Sequence, residues 1–238
     1  GAENFGQHIS GTTSSGKSSL LCGVRSVGGR GTVDDLWTWD NTDTAYEEAA
    51  EICNSGALII DETQLAGLDE KTLLKKARSQ AYKFVQGQPR SRSRRFRNTE
   101  KSPPRHWHAV LLSAGEDSFW SLGTRNSDPR RQGEVHRLID LPAVASIEAP
   151  ELGIFERCPS GYKSTAEAAE AIMAASGKFY GWPLRRFVSR WIMDSPAAIE
   201  RMRKKIEEFI RAAGGGQFTG WERRFLSRFA IIFAAGSL

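Results

Sequence analysis

The chain has 238 residues, 39% of them hydrophobic and 26% charged, with a formal charge of +5 and a pI near 9.2. That is enough for one sizeable core, or for a core with a smaller attached unit. It contains no apolar run long enough to span a bilayer, and no basic-then-apolar leader opens it. The three cysteines, Cys22, Cys53 and Cys158, show no metal-ligand rhythm, so the sequence reads as a cytoplasmic protein with reduced thiols and no membrane partner.

In chain order, Phe5–Ser10 ends a candidate strand, Gly11–Gly16 is a glycine- and serine-rich turn, and Lys17 to about Val27 reads as a helix. Leu36–Trp39 is a short strand candidate. Thr42 or Asp43 caps a helix running to Asn54. Ala57–Ile60 is a continuous apolar run ending in acid, the pattern of a strand covered on both faces. A helix follows over Glu70–Val85, then a basic, proline-containing stretch, then strands at Trp107–Ser113 and Val135–Leu141. Alternating short β and α segments predict an α/β fold, a parallel sheet flanked by helices. After Pro142 only helices are expected. Ser164 with Glu167, and Thr219 with Glu222, have capping-box spacing, and Ser195-Pro196 reads as a cap and first helical residue. The expected organisation is an α/β core over residues 1–150 and a C-terminal helical lid over 151–238. The glycine- and serine-rich turn starts only ten residues into the chain, so a domain cut from a longer protein is expected.

Gly11-Thr12-Thr13-Ser14-Ser15-Gly16-Lys17-Ser18 matches the P-loop pattern G-x-x-x-x-G-K-[ST] in full, between a strand and a helix as that motif requires. Its amides can converge on a polyphosphate at a helix N-terminus. Lys17 is placed to reach the β- and γ-phosphates and Ser18 to ligate Mg²⁺, with Ser19 following in the same turn. At the end of the apolar strand, Asp61 would hold the same metal ion and Glu62 would polarise an attacking water. A serine-rich loop and a strand ending in two exposed acids are the plainer readings, and the two motifs together argue against both. No guanine-reading N-K-x-D or T-K-x-D is present, which favours ATP over GTP.

Ser113, ending its strand, is a candidate sensor of the γ-phosphate; on spacing alone it also reads as a serine that merely stops a strand. Arg125, Arg130 and Arg131 precede the last strand, and Arg130 or Arg131 is the preferred candidate for an arginine finger reaching a neighbouring subunit, the alternative being a solvated basic loop. Gln88–Arg105 carries Arg90, Arg92, Arg94, Arg95, Arg97, Lys101 and Arg105 against the single Glu100. Arg90, Arg92 and Arg94 alternate with serines, so an extended arm would present them on one side to a phosphodiester backbone, with Phe96 available to stack on a base. A basic loop pairing with acids elsewhere is the other reading.

The order of the phosphate loop, Thr38-Trp39-Asp40-Asn41-Thr42-Asp43, Ile59-Ile60-Asp61-Glu62, the arginine-rich stretch, Leu111-Leu112-Ser113-Ala114-Gly115-Glu116, Glu134–Pro142 and Arg228–Gly236 resembles one family. It is a family known as a domain of unknown function, found in plasmids, phages and integrative elements, in proteins described as helicases or inactivated helicase derivatives. Some members are self-loading replicative helicases similar to minichromosome-maintenance proteins. The resemblance implies an AAA+ ATPase core that assembles as a ring, a homo-hexamer, on single-stranded DNA. It implies Lys17, Ser18, Asp61 and Glu62 as nucleotide-site residues, Ser113 as sensor, and the Arg90–Arg97 arm near a central channel. It also implies Arg224 or Arg228 as a lid sensor arginine. Asn126-Ser127-Asp128-Pro129 departs from the family pattern, which leaves the register of the finger arginine open. The reading that results is an ATP-driven helicase or translocase motor from a mobile element. An ATP-dependent initiator or loader that does not unwind is the alternative, and a degenerate binding module is disfavoured by intact Lys17, Asp61 and Glu62.

Overall fold

The computed structural model describes residues 3–61, 69–89, 106–214 and 217–237. They form two compact units, residues 1–181 and 182–238. Glu62 and the arm carrying Arg90, Arg92, Arg94, Arg95 and Arg97 lie outside the described residues.

The first unit is an α/β layer structure. Strands β1 (Phe5–Ser10), β2 (Ala57–Asp61), β3 (Val110–Gly115) and β4 (Leu138–Pro142) make one sheet in the order β2-β3-β1-β4, every pair parallel. Helices α1 (Lys17–Gly28), α2 (Asp43–Ile52), α3 (Glu70–Gln86), α4 (Phe119–Arg125), the single turn α5 (Gln132–Val135) and α6 (Thr165–Lys178) complete it. Alternate residues of β2 enter two separate clusters. Leu58 and Ile60 pack with Trp39, Tyr46, Leu74, Phe84, Trp107 and Phe119, whereas Ile59 packs with Leu21, Cys22 and Leu112. Both faces are therefore covered, which is why the strand reads as an unbroken apolar run. Fully burying one such side chain contributes about 1.5–3 kcal/mol relative to leaving it in water.

Local chemistry sets the boundaries. Thr42 caps α2 by accepting from the Ala45 amide at 3.2 Å, and Asp69 caps α3 by accepting from the Thr72 amide at 2.9 Å. The stretch expected as a strand from Trp107 joins the ladder only at Val110. Before that its amides are used elsewhere: Trp107 N–H donates to the Gly87 carbonyl at 3.0 Å, His108 N–H to Asn54 Oδ1 at 2.8 Å and Ala109 N–H to Asn4 Oδ1 at 3.0 Å. The last strand likewise starts at Leu138, because Gln132–Val135 forms a helical turn whose end is closed by Arg137 N–H donating to the Glu134 carbonyl at 3.0 Å. Leu36–Trp39 forms a single parallel bridge, Trp37 to Ile60, because the Leu36 amide closes a 3-10 turn on the Val33 carbonyl. After Pro142 the described chain is helical, and α6 packs along α1 within the first unit.

The second unit contains α7 (Trp182–Met193), α8 (Ser195–Ala212) and α9 (Gly220–Gly236). The α8 cap is Asp194, accepting from the Ala197 amide at 3.4 Å. Ser195 is the first helical residue, not the cap, and its hydroxyl donates back to the Trp191 carbonyl at 2.8 Å. The Thr219–Glu222 capping box forms as spaced: Glu222 Oε2 accepts from the Thr219 amide at 2.8 Å and from its hydroxyl at 2.7 Å. α8 packs on α9, with the Phe209 and Phe233 rings 5.5 Å apart. Residues 182–238 hold eleven Lys and Arg against five Asp and Glu.

Candidate functional site

In a parallel sheet the crevice outside the carboxyl ends of the strands is where ligands gather. Here β1 ends at Ser10, β2 at Asp61 and β3 at Gly115, and a cavity of about 640 Å³ opens there. Its walls come from the Thr13–Ser19 turn, Asp61, Glu70, the Gly115–Asp117 turn and one side of α6. All of these belong to the first unit.

The Gly11–Ser18 loop joins β1 to α1. Gly11 N–H donates to the Gly115 carbonyl at 3.2 Å, and Ser15 N–H to the Thr12 carbonyl at 3.3 Å. Gly16 has φ 87°, in the left-handed region, and a Cβ there would lie 2.8 Å from Ile154 Cγ1. Glycine is therefore required on both counts. The residues after β4 brace the loop from outside, with Ile154 N–H donating to the Ser15 carbonyl at 3.0 Å. Lys17 Nζ donates to the carbonyls of Gly11 and Thr12, both at 2.8 Å, and to Ser15 Oγ at 3.3 Å. The first turn of α1 carries no acid and its cap residue has no side chain, so no carboxylate of that turn competes for the positive end of the helix, where an anion would be favoured.

Asp61 is buried at the end of β2, its amide donating to the Trp37 carbonyl at 2.9 Å. It shares the cavity with Lys17 and Ser18. Among the described residues no cluster of three His, Cys, Asp or Glu is placed to hold a metal ion by itself. Ser18 with one carboxylate suits Mg²⁺, which is normally bound by one or two protein oxygens with substrate phosphates and water completing the shell.

The remaining site residues separate clearly. Ser113 is fully buried, hydrogen-bonded to His8 Nδ1 at 2.9 Å, and does not line the cavity. The strand-end side chain that does is Glu116, three residues on, whose Oε1 accepts a hydrogen bond from the Thr13 hydroxyl. Arg130, one of the finger candidates, is engaged within the chain. Its side chain is 3% exposed and fully engaged, donating to Asp140 Oδ2 at 2.8 Å and to the Glu134 and Leu138 carbonyls at 2.8 and 2.5 Å. A guanidinium held this way braces β4. Arg131 is exposed at the start of α5, and its backbone N–H, not its side chain, makes the capping contact with Glu134. Arg125, at the end of α4, is half-exposed and held at the cavity rim by Asp117 at 2.6 Å and Glu70 at 2.9 Å. The Arg125 guanidinium holds the Asp117 carboxyl below its usual range. Arg224 and Arg228 lie on α9 in the second unit, the former exposed and the latter buried. Sequence reasoning passed over Glu70, Glu116, Asp117 and Glu170 as cavity residues. The one available signal was Glu116, at the end of the Leu111–Glu116 motif.

Comparison with known proteins sets this geometry in context. Residues 1–104 match the model of a family described as a domain of unknown function (DUF927). The fold is similar to that of a solved structure described as "SCCmec type IV Cch - active helicase", with a TM-score of 0.67 at 18% sequence identity. The similarity covers 99% of this chain and 38% of the helicase chain, so the present chain spans well under half of that protein. The search of curated proteins found no match. Among the described residues no helix is long and apolar enough to cross a membrane.

Proposed function

We propose that this chain is the ATP-hydrolysing motor of a DNA helicase or translocase carried by a mobile element, with an AAA+-type P-loop core. The observation that carries the reading is the convergence of the Gly11–Ser18 loop, Lys17 and Asp61 on one cavity at the carboxyl edge of a parallel sheet. The strand order supports it, because β3 lies between the phosphate-loop strand and the acidic strand and delivers Glu116 between them. The likeness to a mobile-element helicase fold supports the class of motor.

On this reading the loop amides and the α1 N-terminus bind the triphosphate, and Lys17 exchanges its loop carbonyls for the β- and γ-phosphates. Ser18 and Asp61 would hold Mg²⁺, which supplies positive charge to the same phosphates. Glu62, directly after Asp61 in sequence, orients and deprotonates the attacking water. The finger, supplied by a neighbour in a homo-hexameric ring, is Arg131, the exposed member of the Arg130–Arg131 pair, since Arg130 is committed to β4. The Arg90–Arg97 arm grips single-stranded DNA.

The deciding experiment is ATP hydrolysis with and without single-stranded DNA over a range of protein concentrations, with Lys17→Ala as control. DNA-stimulated turnover that rises steeply with concentration and vanishes in Lys17→Ala is the expected result. Binding of ATP with no DNA stimulation at any concentration would move the protein to the initiator or loader class. No binding of ATP would end the reading.

A further inference from the structure

One fully buried polar residue of the sheet has no place in the proposed chemistry: His8, near the end of β1. Its Nε2 lies 3.0 Å from the Asp117 carbonyl oxygen and its Nδ1 2.9 Å from Ser113 Oγ. A carbonyl only accepts, so Nε2 carries the proton. In the neutral ring Nδ1 is then an acceptor, and the Ser113 hydroxyl donates to it. Burial is the main reason the ring stays neutral, holding its pKa below the ordinary histidine value against the opposing pull of the Asp117 carbonyl and Asp140. The ring also packs 4.3 Å from Phe119, at the start of α4. His8 and Ser113 are ladder partners across β1 and β3, so the contact is set by strand register.

The Asp117 carbonyl belongs to the turn that carries Glu116 and Asp117 into the cavity. That turn is tied at one end by Gly11 N–H on the Gly115 carbonyl. At the other end α4 is tied by Asp140, whose oxygens accept from the Phe119 and Trp120 amides at 3.1 and 3.0 Å. Between these ties, the Nε2–H bond fixes the turn from below. Above it, Glu116 meets the phosphate loop at Thr13 and Asp117 holds Arg125.

We propose that His8 is a positioning residue for ATP turnover, holding the Gly115–Asp117 turn so that Glu116 and Asp117 stand at the phosphate end of the cavity. This rests on the ATPase reading above. It reassigns Ser113 as well: its hydroxyl hydrogen is committed to His8, so it orients the ring and does not sense phosphate.

Two near-isosteres separate positioning from packing. The amide of glutamine reproduces the Nε2 position and can still donate to the Asp117 carbonyl, whereas that of asparagine reproduces only Nδ1. Steady-state ATP hydrolysis and thermal midpoints are measured for the 238-residue chain and for His8→Gln, His8→Asn and Lys17→Ala. The expected result is a fall in kcat of about 10-fold or more for His8→Asn, with KM for ATP within about 2-fold, and kcat within about 3-fold of wild type for His8→Gln. Equal losses in both variants, tracking their thermal midpoints, or no loss in either, would make the ring a packing residue and overturn the inference. Wild-type turnover that Lys17→Ala abolishes upholds the parent reading whichever way the His8 variants behave. Absent wild-type turnover overturns both.

Discussion

Replacing Arg130 with methionine tests whether this arginine serves the fold or a neighbouring active site. Methionine keeps the apolar stem and most of the volume, and removes every donor. What is lost is an ion pair at 2.8 Å with Asp140 and two charge-assisted bonds, to the Glu134 and Leu138 carbonyls at 2.8 and 2.5 Å. The arginine side chain is 3% exposed and the aspartate 17%. Breaking a buried pair from one side costs about 3–5 kcal/mol, because the partner is left charged without compensation. Asp140 keeps the Phe119 and Trp120 amides and some water, so the low end, about 3 kcal/mol, applies. For a unit of this size each kcal/mol moves the thermal midpoint by about 2–4 °C, giving a fall of about 6–12 °C. Melting followed by circular dichroism, beside Arg131→Ala, makes the contrast. Arg131 is exposed, so its loss leaves the midpoint within about 2 °C while acting on turnover if it is the finger. An Arg130→Met protein that melts with the wild type yet loses concentration-dependent hydrolysis would refute the structural role and restore Arg130 as the finger.

Glu62→Gln is expected to bind ATP and to lose turnover by about 100-fold or more, measured as nucleotide affinity beside hydrolysis rate; retained hydrolysis removes Glu62 from the general-base role. Replacing Arg90, Arg92 and Arg94 together with alanine lowers the slope of log affinity for single-stranded DNA against log salt by about 2, read by fluorescence anisotropy, and an unchanged slope returns the segment to a loop. Acid weakens the fold through His8: its folded pKa is depressed by burial, so below about pH 6.5 the unfolded chain binds the extra proton and stability falls. Urea midpoints at about pH 7.5 and pH 5.5 fall less in His8→Gln than in wild type, and parallel falls would show that other groups carry the acid sensitivity.

The elements legible in the sequence are those whose determinants are local. The full P-loop pattern, the apolar run before Asp61, and the caps at Thr42, Ser164 and Thr219 each carry their signal within a few residues. What the sequence hid depends on partners far along the chain. Trp107 has the look of a strand, but its amide is taken by Gly87 and the Ala109 amide by Asn4. Arg130 and Arg131 are indistinguishable by composition. Only the placement of Asp140 ten residues later, and of the Leu138 carbonyl, separates a brace from a solvated arginine. Spacing cannot show which way the Ser113 side chain turns, and it turns to His8, 105 residues earlier. The cap of α8 is Asp194, one residue before the serine that the Ser195-Pro196 pair suggested.

The charge distribution of the cavity carries the proposed chemistry one step further. Asp61, Glu70, Glu116, Asp117 and Glu170 line it, against Lys17, with Arg125 at the rim already divided between Glu70 and Asp117. Two like charges 4 Å apart repel by about 4 kcal/mol at an effective dielectric of 20, more than the roughly 1.5–3 kcal/mol of one charge-assisted hydrogen bond. A bare triphosphate would therefore be held weakly by the loop amides and Lys17 alone. On the proposed reading this makes binding dependent on a divalent cation at Ser18 and Asp61, and makes turnover dependent on a cation beyond the one that the described cavity residues supply, Lys17. Arg125 cannot serve its own site without giving up its ion pairs with Glu70 and Asp117, which is the electrostatic argument for an arginine provided in trans.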